Sequence, residues 1–191
     1  MRFIKFGNVE MSCSKVIKEF PLASDRLTYK KFDDSLLNDQ YISWLNDKQV
    51  VKYSEQRHHK HTYKSCRAYF DSFSNSPNLF IAICLKSGEH IGNLSATVNT
   101  HNKLVDLAIM IGNRKYWGHG YGCEAFKVFV DYFLESGIAR KVIAGTMEKN
   151  ISMLKTLEKC GMQQEGIRKG YFLLNGTPVD LLYFSKQASD V

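Results

Sequence analysis

The chain has 191 residues, a length that fits one domain of ordinary size with an appended segment. Hydrophobic residues make up 44% and charged residues 24% of it, near the globular average, which excludes wholesale disorder, a collagen repeat and a disulfide-built scaffold. Lys and Arg number 26 against 19 Asp and Glu, and the net charge of +7 favours an anionic partner such as a phosphorylated cofactor, a nucleotide or RNA.

Cys13, Cys66, Cys84, Cys123 and Cys160 are odd in number, widely spaced and never in a C-x-x-C pair. Neither a disulfide framework nor a zinc site is expected from them, and a reducing compartment fits. No apolar run approaches the ~20 residues of a membrane span, and charges interrupt each hydrophobic cluster near the start, so a cytoplasmic protein is expected. Residues 1–24 show no regular period and are read as an N-terminal arm, packed on the domain or left as a tail. A single domain is expected over residues 25–191.

Residues 26–32, RLTYKKF, alternate apolar and polar as a half-buried strand, and Asp33, Asp34 and Ser35 then offer capping chemistry for a helix through LLNDQYISWLND. A polar stretch, YSEQRHHKHT, follows. Thr62 can cap a second helix, whose Cys66, Tyr69, Phe70 and Phe73 recur at helical spacing. LFIAICL, HIGNLSATVN and LVDLAIMIG read as three strands, the first two joined by a Lys86-Ser87-Gly88 turn. After a glycine-rich stretch, Ala125, Val128, Phe129, Tyr132 and Phe133 mark an amphipathic helix ending at Ser136-Gly137. KVIAGT is a strand, Asn150 caps a helix closed by Gly161, and two strands joined at Asn175-Gly176 form a closing hairpin.

The order strand LVDLAIMIG, loop NRKYWGHGYG, helix CEAFKVFVDYF carries the chemistry. Gly118, Gly120 and Gly122 allow backbone amides to turn toward a bound group, and the helix N-terminus adds partial positive charge, which suits a pyrophosphate. The bland alternative is a tight strand-to-helix turn. A Walker loop would need Gly-Lys-Ser/Thr, and a Rossmann fingerprint needs G-x-G-x-x-G near the first strand; neither is present.

Trp117-Gly118-His119-Gly120-Tyr121-Gly122 resembles the hallmark of the GNAT superfamily of acyl-CoA-dependent N-acyltransferases, Gln/Arg-x-x-Gly-x-Gly/Ala between the fourth strand and third helix. Trp in place of Gln or Arg, with Glu124-Ala125 following, is similar to the branch that includes the ribosomal-protein N-terminal acetyltransferases. The resemblance extends through Asn150 in EKNISMLKTLEKCGM and through EGIRKGYFLLNGTPVDLLYF, covering residues 26–184. It implies an α/β (α+β) fold with a mixed, strongly twisted central sheet of about seven strands flanked by four helices. It also implies acetyl-CoA as acyl donor, a primary amine as acceptor and direct attack in a ternary complex.

By the same resemblance, the pantetheine arm lies between the splayed fourth and fifth strands against backbone groups of Ile109, Met110 and Ile111. Trp117, Gly118, His119, Gly120, Tyr121 and Gly122 hold the pyrophosphate through main-chain amides. Asn150 meets the pantetheine amides, caps its own helix, or does both. Arg114, Lys115 and Lys155 are candidates for the adenosine phosphates, or are solvated cations.

The reaction needs a base, an amide donor and a proton for the departing thiolate. The amide donor is the main-chain N–H of Met110 or Ile111. The positions where relatives carry an acidic Tyr or Ser hold Leu157 and Met153; Ser152 is one residue away, rotated by ~100°. A thiolate with a pKa near that of cysteine, about 8.5, can leave without an acid. Asp106 is the first candidate base, against the alternative of a solvent-facing strand residue.

The segment Glu55, Gln56, Arg57, His58, His59, Lys60 and His61 overhangs the acceptor site in this fold, and is read as binding an anionic acceptor, with His58 supplying a base titrating near neutrality. Its alternatives are a solvated loop or a zinc site. Arg168 and Asp180 are explained as well by a cross-strand ion pair as by a role in the site. The acceptor expected is a nucleotide-linked amino sugar, with a protein N-terminus as runner-up; a cationic polyamine would be repelled by this overhang. A non-catalytic acyl-CoA-binding module is the rival from another class. No metal and no nucleic-acid partner are expected, and a homodimer is admitted.

Overall fold

The computed structural model describes residues 23–188. The arm read over 1–24 therefore lies outside the described residues except for Ala23 and Ser24, and so does Cys13. Seven strands form one sheet: β1 (Leu27–Lys31), β2 (Leu79–Leu85), β3 (His90–Asn99), β4 (Leu104–Ile111), β5 (Lys141–Met147), β6 (Gln163–Leu174) and β7 (Thr177–Gln187), in the order β1-β2-β3-β4-β5-β7-β6. The described residues form four α-helices: α1 (Asp39–Asn46), α2 (Tyr63–Asp71), α3 (Tyr121–Glu135) and α4 (Ile151–Lys159). This is the mixed architecture expected from the sequence.

The sheet is covered on both faces, which explains why LFIAICL has no polar alternation. Leu79, Ile81 and Ile83 of β2 join one core with Phe126, Phe129 and Phe133 of α3. Phe80, Ala82 and Cys84 point the other way, into a second core with Tyr41 and Trp44 of α1 and Cys66 of α2. The buried stripe of α3 includes Phe126 and Val130 beside the expected Ala125, Phe129 and Phe133, whereas Val128 and Tyr132 are half-buried.

Side-chain caps open α2 and α4 where the sequence offers them, whereas Asp33 caps only a 3-10 turn, Asp34–Leu36, with α1 starting later, after Asn38, and α3 starts after Gly120 with no side-chain cap. Thr62 accepts from the Ser65 N–H while the Ser65 hydroxyl accepts from the Thr62 N–H, a reciprocal box that fixes where α2 starts. Thr62→Ala is expected to cost about 1 kcal/mol and to lower Tm by about 2–4 °C, read by thermal denaturation followed by circular dichroism.

One irregularity positions the site. β4 and β5 are the sheet's parallel pair, and they pair only from Leu104, Val105 and Asp106 to Lys141, Val142 and Ile143. Beyond that point β5 stays with β7 through Met147, and β4 stays with β3 through Ile111. The two strands separate into a slot, leaving main-chain groups of β4 without a ladder on that side.

Candidate active site

The slot opens into a groove of about 1260 Å³. Ala108 to Ile111 of β4 form its middle, the α3 loop and the start of α4 form one flank, and the connection between α1 and α2 with Asn93 and Ser95 of β3 forms the other.

On the α3 flank the amide N–H of Tyr116 and of Trp117 bond to the carbonyls of Asn113 and Arg114, each at 3.1 Å. The six consecutive N–H groups from Gly118 to Cys123 have no hydrogen-bond partner among the described residues, and the helical ladder begins with Glu124 N–H to Gly120 C=O at 3.0 Å. Gly118 and Gly120 sit at φ +78° and +82°, which turns successive amides to one side; a Cβ at Gly118 would meet only open space. A row of unpaired amides at the N-terminus of a 15-residue helix suits a diphosphate.

Two members of the expected loop set behave differently. Trp117 has spent its amide on Arg114, and its indole Nε1 donates to the Ile111 carbonyl at 2.7 Å. His119 is not on the groove wall: its carbonyl faces away to accept from Arg26 Nη1 at 2.9 Å, and its ring stacks on Tyr121.

The phase of β4 decides between Met110 and Ile111. Gly112 N–H donates to Ile91 C=O at 2.9 Å, and this pair continues the register in which Ile111 faces Gly92 and Met110 faces Asn93. Hydrogen-bonded and non-bonded pairs alternate along an antiparallel ladder, so the main chain of Met110 is committed to β3 while that of Ile109 and Ile111 faces the slot. Met110 is thereby corrected as an amide donor. The Ile111 carbonyl is capped by Trp117, and the Ile111 N–H is left pointing into the slot.

On α4, Asn150 caps the helix by accepting from Met153 N–H at 3.3 Å and also lines the groove, so capping and lining coexist. Leu157 is fully buried in the core, whereas Met153 and Ser152 are both on the groove wall. Lys155 is there too, joined by Lys159. Arg114 and Lys115 are not: Arg114 reaches Asp47 at 3.4 Å and lies over Trp117, and Lys115 lies over Tyr116.

The overhang divides at a 3-10 turn, Glu55–His58, capped by Ser54. The tight turn swings Arg57 off the groove and onto the closing hairpin, where Nη2 donates to the Leu173 carbonyl at 3.3 Å and the guanidinium lies over Phe172. Glu55 pairs with Arg57 at 2.7 Å and His58 lies 3.9 Å from Glu55. Glu55, Arg57 and His58 are thus corrected as groove residues, while His59, Lys60 and His61 line it together with Lys52. His61 Nε2 lies 3.3 Å from the Gln56 carbonyl.

No Asp or Glu lines this groove among the described residues. Asp106 lies on the same sheet face as Ala108 and Met110, one side-chain repeat from the wall, opposite Thr97. It is solvent-accessible, yet the surrounding protein displaces enough water to raise its carboxyl pKa above the ordinary value. The expected Arg168–Asp180 pair is replaced by Lys169, whose Nζ donates to Asp180 at 2.8 Å, while Arg168 lies over Tyr171 and Tyr183. Among the described residues no group of three or more His, Cys, Asp or Glu side chains gathers to hold a metal ion, and no helix is long and apolar enough to cross a membrane.

Lys52 and Lys159 line the groove and Arg26 braces the loop beside it, positions that the sequence did not single out for the site; Glu124, noted there only as following the glycine loop, is the partner of Arg26. Net charge hinted at the first two; the pairing of Arg26 with Glu124 spans 98 residues and has no local signal.

Residues 26–163 match the family model described as the acetyltransferase (GNAT) domain. An uncharacterized N-acetyltransferase, p20 of Bacillus licheniformis, is 26% identical over 115 residues, covering 60% of this chain and 64% of that protein, so the match spans less than two thirds of the relative. Among solved structures, RimL, a ribosomal L7/L12 alpha-N-protein acetyltransferase in complex with coenzyme A, superposes with TM-score 0.78 at 14% identity over 91% of this chain and 100% of that one. The spermidine N-acetyltransferase of Vibrio cholerae, in complex with CoA and spermine, gives TM-score 0.76 at 16% identity over 86% and 96%.

Proposed function

Because this chain belongs to the GNAT family of acetyltransferases, we propose that it transfers an acetyl group from acetyl-CoA to a primary amine carried on an anionic molecule, a nucleotide-linked amino sugar in the first instance. The observation that carries the acceptor class is the groove lining: Lys52, His59, Lys60 and His61 line the α1–α2 flank, and no carboxylate lines any part of the groove among the described residues. A polyamine would meet only like charge there, and a diphosphate would meet its complement. The fold itself is neutral on this point, since its neighbours include enzymes for a protein N-terminus and for spermidine.

The amides from Gly118 to Cys123 take the pyrophosphate of the donor, and the free main-chain groups of Ile109 receive the pantetheine arm as an added strand. Ile111 N–H then points at the thioester carbonyl. The acceptor enters from the other flank, so that amine and thioester meet over Ala108 and Met110. The amine nitrogen bonds to the carbonyl carbon, negative charge collects on the oxygen facing Ile111 N–H, and collapse breaks the C–S bond to release the thiolate. The amine's proton passes through water to Asp106. Proximity supplies much of the acceleration, and no acid is needed for a leaving group of pKa about 8.5.

The test is CoA release from acetyl-CoA against a panel split between nucleotide-linked amino sugars and short peptides with free N-termini. Turnover with a sugar nucleotide supports the reading, and turnover with peptides alone moves the enzyme to the N-terminal class. Donor binding with no turnover on either moves it to a non-catalytic acyl-CoA-binding module. For the active sugar nucleotide, replacing Lys52 and Lys60 together by Glu is expected to raise acceptor KM about tenfold or more, with acetyl-CoA affinity unchanged. The wild-type KM should rise with salt, and the variant's should not.

A further inference from the structure

Arg26 stands at the entry to β1, far in sequence from the groove, and ties together the first turn of α3 and the loop before it. Its main-chain N–H donates to Glu124 Oε1 at 2.9 Å, its Nε donates to Oε2 at 2.7 Å, and its Nη2 lies 2.7 Å from Oε2. Ser24 Oγ adds a fourth bond to the same carboxylate at 2.7 Å. The remaining guanidinium nitrogen, Nη1, donates to the His119 carbonyl at 2.9 Å, and the guanidinium lies 4.5 Å from the centre of the Tyr121 ring.

The guanidinium charge is therefore spent on Glu124 and is not the counter-ion of a phosphate. Its effect on the groove runs through one peptide plane. The His119 carbonyl and the Gly120 N–H belong to the same planar trans unit and point in opposite directions. Holding the carbonyl outward aims the Gly120 amide inward, and Gly118 and Gly120 line the groove while His119 does not. A flip of this unit turns ψ of His119 and φ of Gly120; Gly120, at φ +82° and without a Cβ, tolerates either sign of φ, so its backbone does not oppose a flip that would present the His119 oxygen to the ligand instead. A carbonyl dipole there would repel a pyrophosphate that the amide attracts.

We propose that Arg26, braced by Glu124, is a positioning residue for the donor's pyrophosphate: it locks the His119–Gly120 peptide in the orientation that presents the amide. This rests on the reading of the loop as the acetyl-CoA site, and it makes the N-terminal end of β1 part of donor specificity. Its signature is selectivity for the part of the donor that bears the diphosphate. Pantetheine, which fills the slot along β4 and carries no diphosphate, should not sense it.

The experiment measures calorimetric Kd for CoA and for pantetheine with the wild type, Arg26→Gln, Arg26→Lys and the double variant Arg26→Gln/Glu124→Gln, which leaves no unpaired charge if the single change fails to fold. The expected result is a rise of about tenfold in Kd for CoA in Arg26→Gln and in the double variant, partial recovery in Arg26→Lys, and pantetheine Kd within about twofold of wild type throughout. Unchanged CoA affinity in the Gln variants overturns the proposal. So does an equal loss for CoA and pantetheine, which would mark a purely structural clamp. Failure of the wild type itself to bind CoA would remove the donor reading and the proposal with it, and is seen before any variant is made.

Discussion

Ile111→Pro is expected to lower kcat by about 10²- to 10³-fold while the sheet stays folded and CoA still binds. Proline removes one N–H, and at Ile111 that N–H is the group aimed into the slot rather than one committed to β3. The ladder bonds on this stretch of β4 belong to Ala108, Met110 and Gly112, so the change spends none of them. Proline is tolerated where the strand's N–H side is unpaired, and the extended backbone it imposes on Met110 is the one a strand already has. Met110→Pro is the matched control. It removes an N–H engaged with β3 and should cost stability before it reaches the chemistry. The comparison is made by steady-state kinetics with urea denaturation of both variants. Equal kcat in wild type and Ile111→Pro would take the oxyanion role from this amide.

The contrast between those two neighbours shows where the sequence stops being legible. The strands, the caps at Thr62 and Asn150 and the loop before α3 were readable because each is written in a few adjacent residues: a two-residue alternation, a side chain that bonds an amide three positions on, three alternating glycines. The hydrogen-bond phase of β4 is not written that way. It follows from Gly112 meeting Ile91, a pairing set by the whole β3–β4 register, and it turns Ile111 toward the slot and Met110 away. The histidine segment failed at the same level. Its composition announces an anion site, but a 3-10 turn three residues per revolution sends Arg57 to Leu173 and leaves His59, Lys60 and His61 on the wall. The bond between Arg26 and Glu124 was invisible for a plainer reason: Glu124 is marked in the sequence only as the residue that follows the glycine loop, and its partner lies 98 residues away.

Asp106→Asn is expected to lower kcat about 10²- to 10³-fold and, unusually for a loss of function, to stabilise the protein. The carboxyl must be ionised to take the amine's proton, and burial around it raises its pKa above the value of a free aspartate. The folded chain therefore holds this proton to higher pH than the unfolded chain does. Between the two pKa values the native state binds more protons, so stability falls as pH rises through that window, and at neutral pH the ionised Asp106 is a net cost. Asparagine has the same shape and no charge, so the variant should unfold at higher urea concentration than wild type at pH 7. The difference should vanish below the unfolded-state pKa, where both side chains are neutral. In kinetics, the acid limb of the wild-type kcat/KM profile should lie above the pKa of free aspartate and be missing from the variant, with CoA affinity the same in both. A solvent-facing strand carboxylate with no part in the chemistry would give the stability gain alone. A stability gain at pH 7 together with loss of both turnover and the acid limb would assign Asp106 to proton transfer.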